Sequence, residues 1–244
     1  MTALLRAQNI GKRFDGFVAL DGIDLDVAPG ERLGLIGPNG SGKSTLVNCI
    51  CGTLHYETGT VNFDGKPVDG LAAHQRTHLG IARSFQLPRP YHSMTLADNL
   101  RIPLLYTAKA RSPSLRTDAD LEARCAELLQ MVGLEQKALH LPRDLTQVEM
   151  RKLELARAMA AEPKLLIADE SMAGLSHVEI EDILALLNRL NERGMTIILI
   201  EHVMSAVMRF SQRLAVLVSG KKIADGKPED VVHDPDVVRA YLGS

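Results

Sequence analysis

Gly37-Pro38-Asn39-Gly40-Ser41-Gly42-Lys43-Ser44-Thr45 has the spacing GxxxxGK[ST], with every required position filled. Glycines at these places let backbone N–H groups turn inward and close on phosphate oxygens without Cβ clashes. Lys43 is then placed to reach the β- and γ-phosphates of a nucleoside triphosphate, and the Ser44 hydroxyl to hold Mg²⁺. A glycine-rich turn that binds nothing is the bland alternative, and the context argues against it. Arg32 to Ile36 reads as a buried strand before the loop, and Lys43 to Cys51 as a helix after it, with Leu46, Val47 and Ile50 on one face. The helix N-terminus adds its positive dipole end to the same anion. The stretch implies binding of ATP or GTP.

A second stretch supplies carboxylates. Leu165-Leu166-Ile167-Ala168-Asp169-Glu170 is an apolar strand delivering two acids at its C-terminal end, the edge at which open α/β sheets bind ligands. Neighbouring residues on a strand point to opposite faces, so the two acids can do different work. Asp169 suits the Mg²⁺ side, and Glu170 suits orienting and deprotonating an attacking water. Alone, such a pair is usually just a strand end; beside the phosphate loop it reads as chemistry.

The elements that position these residues follow from patterning. The chain has 244 residues, 45% hydrophobic and 24% charged, with net charge −2, which is ordinary for a soluble globular protein and a poor footprint for a nucleic-acid binder. No apolar run approaches the roughly 18 residues needed to span a bilayer, and the N-terminus lacks a secretion signal. Membrane association is therefore expected through partners. Cys49 and Cys51 sit too close for a usual zinc pair and read as helix-packing residues.

Leu4 to Ile10 and Phe17 to Val27 read as strands joined by a turn over Lys12 to Gly16. Asp24 and Asp26 alternate there with Ile23, Leu25 and Val27, as in a half-exposed antiparallel strand. Thr58 to Gly65 and Gly80 to Gln86 read as further strands. From Thr95 to Ala161 the period is helical, with a capped start at Thr95, a polar Ser- and Arg-rich stretch near Ala110 to Thr117, and a helix from Asp118 to Val132. The remainder alternates strand and helix. This predicts an α/β fold with a mainly parallel sheet and a helical insert.

These pieces together resemble an ATP-binding-cassette ATPase over essentially the whole chain. The resemblance implies one cassette domain over 1–244. Its nucleotide-binding α/β core lies at 1–87 and 164–244, with an antiparallel β subdomain and a helical subdomain at 88–163. It implies that Gln86 touches Mg²⁺ and the attacking water, that His202 in Ile200-Glu201-His202 contacts the γ-phosphate, and that Phe14 stacks on adenine. Asp169 is expected to hold Mg²⁺ through water. Ala173-Gly174-Leu175-Ser176 falls at the family's dimer-contact loop, with Ser176 where most members carry aspartate.

One motif departs from the pattern. The family signature Leu-Ser-Gly-Gly-Gln is matched by Leu145-Thr146-Gln147-Val148-Glu149, with both glycines absent. Thr146 and Glu149 form a capping-box pattern that would simply start a helix, as do Ser176 and Glu179. The signature role, on a partner's ATP, keeps a hydroxyl and a helix dipole but loses the close backbone approach that glycine permits. Within the family, Lys152-Leu153-Glu154-Leu155-Ala156-Arg157, Met172-Ala173-Gly174-Leu175, Ile200-Glu201-His202-Val203-Met204 and Val237 to Gly243 resemble the branched-chain amino acid importer ATPases. The last stretch is shared with lipopolysaccharide-export ATPases. The resemblance implies an ATP-hydrolysing importer subunit on the cytoplasmic face of the plasma membrane, taking up branched-chain amino acids or related small solutes. Expected partners are a second ATPase subunit, identical or not, integral-membrane permease subunits and, indirectly, a solute-binding protein, with no nucleic acid. Another transport system of the export type and a soluble non-transport cassette stay open as alternatives.

Overall fold

The computed structural model describes residues 2–85, 87–108, 115 and 117–242. In chain order the first half holds β1 (Leu5–Phe14), β2 (Phe17–Val27), β3 (Arg32–Ile36), α1 (Lys43–Cys51), β4 (Thr58–Phe63), β5 (Lys66–Pro67), α2 (Ala73–Leu79) and β6 (Ile81–Ser84). The helical stretch holds α3 (Leu96–Pro103), α4 (Asp118–Val132) and α5 (Gln147–Met159). Then come β7 (Leu165–Asp169), α6 (His177–Glu192), β8 (Thr196–Ile200), α7 (Met204–Phe210), β9 (Arg213–Val218), β10 (Lys221–Gly226), α8 (Pro228–Val231) and α9 (Pro235–Leu242).

Two sheets result. Strands β10-β9-β3-β8-β7-β6 form one, parallel throughout except for the edge strand β10. Strands β2-β1-β4-β5 form the other, antiparallel throughout. The inner strands of the large sheet are apolar on both faces, as a parallel sheet covered on both sides requires. Leu166, Ala168, Ile197 and Leu199 face a core shared with α3 to α6, whereas Leu165, Ile167, Ile198 and Ile200 face one shared with α1 and the small sheet. Asp169 pairs with Ile200, and Ile36 with Val216, so β3, β7 and β8 finish at one edge. This is the expected α/β arrangement, with a phosphate-loop core, an antiparallel sheet and inserted helices.

Some boundaries differ from the sequence reading. The turn placed over Lys12 to Gly16 shrinks to Asp15-Gly16, because β1 continues to Phe14 and pairs it with Phe17. Helix α2 has no apolar stripe to announce it: Arg76 is its single buried residue. The strand read over Gly80 to Gln86 ends at Ser84. Gln86, most of the polar stretch from 110 to 117, and Gly243 lie outside the described residues. The helix opened by Thr95, whose hydroxyl accepts from the Asp98 N–H, widens into a π-type turn over Leu104–Ala108 after Pro103. Pro103 has no N–H to donate, so regular α-helical bonding cannot continue there. Cys49 and Cys51 are buried in α1, and burial pushes both thiols up to about 11.

Arg76 explains why α2 is there. It is 2% exposed, and its guanidinium donates to the carbonyls of Cys49 (2.8 Å), Ile50 (2.9 Å) and Leu71 (3.1 Å). Two of these acceptors lie at the C-terminal end of α1, where carbonyls lack intrahelical partners and the dipole favours a cation. Arg76→Met should therefore destabilise the fold by on the order of 3 kcal/mol, since charged hydrogen bonds to buried acceptors are lost together. Urea unfolding checks this as a lower midpoint at unchanged slope; a loss below about 1 kcal/mol would assign the cap no structural weight.

Candidate nucleotide site

The phosphate loop closes on itself through its lysine. Lys43 is 6% exposed, and its ammonium donates to Gly37 O (2.7 Å) and Pro38 O (3.0 Å) and lies 3.5 Å from Ser41 Oγ. Burial pushes this ammonium below its ordinary range, while Glu170 and Asp169 pull it back up. Gly37, Gly40 and Gly42 have φ of 152°, 77° and 106°. At Gly37 a Cβ would fall 2.1 Å from Leu217 O, so the close approach of loop and β9 excludes a side chain. Ser44, next along α1, is exposed.

One cleft gathers Asn39 to Thr45, Glu170, His202 and Phe14, together with Phe17, which the sequence reading did not single out. Phe14 and Phe17 are cross-strand partners at the tip of the β1–β2 hairpin and are 44% and 63% exposed. Large apolar rings left in water beside a polar loop suit stacking on a flat base. The Lys12 ammonium sits 5.3 Å from the Phe14 ring centre.

The two acids part company as expected, though not by simple strand alternation. β7 ends at Asp169, and Glu170 turns into the left-handed region with φ 47°, its N–H donating to Ile200 O at 2.8 Å. Glu170 Oε1 lies 3.0 Å from His202 Nε2. Asp169 Oδ2 accepts from Arg83 Nη2 (2.5 Å) and Nε (3.2 Å), and Arg83 Nη1 reaches Asn48 Oδ1 (2.7 Å). Arg83, on β6, thus fixes Asp169 to α1. With Oδ2 engaged, Asp169 suits an outer-sphere place, and the exposed Ser44 hydroxyl an inner one. This all-oxygen set fits Mg²⁺.

Leu145 to Glu149 do not line the cleft. They begin α5, where Thr146 Oγ1 accepts from the Glu149 N–H (3.4 Å) and Glu149 Oε2 from the Thr146 N–H (2.9 Å). The capping box is therefore real, and Lys137 adds two contacts of 2.7 Å to the Glu149 carboxylate. Val148 is half-buried against the helical core. The Ser176–Glu179 box also forms, and Gln147 Nε2 lies 3.4 Å from Ala173 O. The start of α5 and the Ala173–Ser176 stretch are thus neighbours within one chain.

A phosphate loop and a carboxylate–histidine pair at one edge of a parallel sheet define a nucleotide-hydrolysing P-loop protein. The ABC transporter family profile matches residues 20–173, and the profile of the branched-chain amino acid ATP-binding cassette transporter matches residues 221–244. The chain is 36% identical over 250 residues to the high-affinity branched-chain amino acid transport ATP-binding protein LivG of Escherichia coli K12, with 98% of each covered. It is 34% identical over 249 residues to BraF of Pseudomonas aeruginosa, a protein of the same description, again with 98% of each covered. A crystal structure of an ABC transporter ATP-binding cassette in its ADP conformation superposes with TM-score 0.88 at 32% identity over the full length of both chains. A dimeric cassette in a post-hydrolysis state, bound to ADP and Pi, matches with TM-score 0.81 at 27% identity, covering 92% of this chain and 98% of that one. The chain belongs to the ATP-binding-cassette transporter family, and it is an ATP-binding ATPase of that family.

The Gly37 geometry makes a direct prediction. Gly37→Ala places a methyl 2.1 Å from Leu217 O and 2.6 Å from Ser41 Oγ at a φ that L-residues rarely adopt. The loop must shift, and loss of even one charge-assisted bond to phosphate should weaken ATP binding roughly ten-fold or more. Titration with a fluorescent ATP analogue tests it, and unchanged affinity would mean that the loop relaxes freely.

Proposed function

We propose that this chain is the ATP-hydrolysing subunit of an importer for branched-chain amino acids or related small polar or organic-acid solutes. Two cassettes, identical or not, pair around ATP and drive integral-membrane permease subunits that receive solute from a binding protein. The observation that carries this is the Glu170–His202 contact of 3.0 Å beside a complete phosphate loop. Similarity to LivG and BraF over nearly the whole chain supports the solute class. Among the described residues no helix is long and apolar enough to cross a membrane, so attachment at the cytoplasmic face would come through the permease.

In this reading the core is 1–87 with 164–244, and 88–163 is the helical subdomain. Gly37 to Thr45 hold the phosphates through backbone N–H groups and the Lys43 ammonium, and Phe14, with Phe17 beside it, stacks on adenine. Ser44, Gln86 and, through water, Asp169 would hold Mg²⁺, which when bound spreads the charge developing on the β- and γ-phosphate oxygens. Glu170 orients the attacking water and accepts its proton as the water oxygen bonds to the γ-phosphorus and the bond to the β,γ-bridging oxygen breaks. ADP and phosphate leave. His202 steadies Glu170 and the γ-phosphate, and Leu145 to Glu149 present the α5 N-terminus to the ATP of the partner.

Roles in the ground state and in the reaction step separate by mutation. Lys43→Ala should abolish ATP binding, whereas Glu170→Gln should leave binding intact and stop turnover, because one meets phosphate in the bound state and the other acts on water. Nucleotide-binding and steady-state hydrolysis assays on the two variants decide it. Equal loss of binding in both would overturn the assignment.

Phe85, Tyr91 and Tyr106 leave large apolar side chains exposed along a cleft of ≈ 540 Å³ between α2, β6 and the inserted helices, and Leu87 and Met94 of the same segment are exposed too. Exposed apolar surface of this kind marks a partner site, and we assign it to the permease. Cysteines placed between Leu87 and Leu100 should cross-link to cytoplasmic permease loops in the assembled complex. Cross-links confined to the opposite end of the sheet would refute this docking.

A further inference from the structure

Glu201 has no part in the chemistry above, yet it is 2% exposed and lies immediately between β8 and His202. Ile197 and Leu199 of β8 face the helical core, and Ile198 and Ile200 the α1 side. Continuing that alternation sends Glu201 toward the helical side and His202 toward the phosphate loop. A carboxyl so deeply buried is costly unless its oxygens are used.

One of them is used on the residues that follow Glu170. Glu201 Oε1 accepts from the Met172 N–H at 2.7 Å and lies 3.5 Å from Ser171 Oγ. The next residue, Ala173, offers its carbonyl to Gln147 Nε2 and Arg151 Nη2 of α5, both at 3.4 Å. The loop after Glu170 is therefore held on one side by the end of β8 and on the other by the start of α5. Glu170 itself keeps φ at 47°, a conformation that a non-glycine residue holds only where its surroundings over-determine it.

We infer that Glu201 is a positioning residue: through Met172 and Ser171 it holds Glu170 in its left-handed conformation and at contact distance from His202. The inference rests on the reading of Glu170 as the group that orients and deprotonates water. Burial raises the Glu201 carboxyl to about 7, the Met172 and His202 N–H groups oppose that rise, and Glu170 adds to it. Charged or protonated, the group still presents an acceptor to Met172, so its reach counts for more than its charge.

Two conservative variants separate reach from charge. Glu201→Gln keeps the length and an acceptor oxygen, whereas Glu201→Asp keeps the charge and withdraws the oxygen by one methylene. ATP hydrolysis by the purified full chain is measured per folded molecule, with Glu170→Gln alongside. E201D should lower kcat on the order of ten-fold or more with the KM for ATP within about two-fold, since small misplacements of a reacting group are expensive. E201Q should stay within about three-fold of the parent. The proposal is overturned if E201D turns over like the parent, if E201Q loses as much as E201D, or if KM rises in step. It is equally overturned if E201D only reduces the folded fraction, with turnover per folded molecule unchanged. Full turnover in E170Q would sink the reading of Glu170 itself; loss in E170Q with normal E201D sinks only the role of Glu201.

Discussion

The burial of the Lys43 ammonium against the carbonyls of Gly37 and Pro38 is the interaction on which the site depends. Carbonyl dipoles repay only part of the cost of taking a cation out of water, which is why its pKa falls. The remaining attraction is for negative charge, supplied at longer range by Asp169 and Glu170 and at short range by a triphosphate. Everything nearby serves to keep that loop folded inward. Gly37 admits the carbonyl of Leu217, Gly42 packs where a Cβ would meet Ala19 O, and α1 is anchored at its far end by Arg76. The antiparallel sheet and the C-terminal strands thus shape a loop that belongs to neither.

The Arg83–Asp169 pair has a different character. Both side chains are largely buried, so desolvation consumes much of the Coulombic gain and the pair is weak evidence of stability. Its worth is geometric. Arg83 spans β6, the end of β7 and Asn48 of α1, tying Asp169 to the helix that carries Ser44. β6 also pairs with β7 along its length and leads into the segment that we assign to the permease, so the Arg83 contacts lie between that segment and Asp169.

Legibility in the sequence followed the range of the interaction. The phosphate loop, the apolar strand ending in Asp169-Glu170 and the caps at Thr146 and Ser176 are local patterns, set by backbone sterics within a few residues. They were readable, and Phe14 and His202 became so once the family resemblance was seen. Phe17 was not, because its place depends on a hairpin turn three residues shorter than the stretch read as turn from the sequence. Arg83 and Glu201 act across 86 and 29 positions of the chain, on Asp169 and Met172 respectively. No periodicity marks such residues. The one available signal was a charged residue inside or beside an apolar strand, which invites the question of its partner without naming it.

At the start of α5, side-chain contacts occupy the stretch in which the family signature has its glycines. Where the family has a neutral glutamine, Glu149 brings a carboxylate close to a helix end that would face phosphate, and like charges there repel. Lys137 lies 2.7 Å from both Glu149 oxygens, with part of the pair buried, which cancels much of that charge. The same carboxylate caps the Thr146 N–H, and Val148 uses its extra bulk to pack on the helical core. The Glu149 and Met150 N–H groups are spent on Thr146 itself, so the donors best placed for an anion beyond the helix are those of Gln147 and Val148. Glycine at these positions would let phosphate approach more closely; here the same helix end is capped and ion-paired instead. Gln147 and Arg151 then join it to the loop that follows Glu170. The helix that we propose faces the partner's ATP is in this way fastened to the loop that carries Glu170 in its own chain.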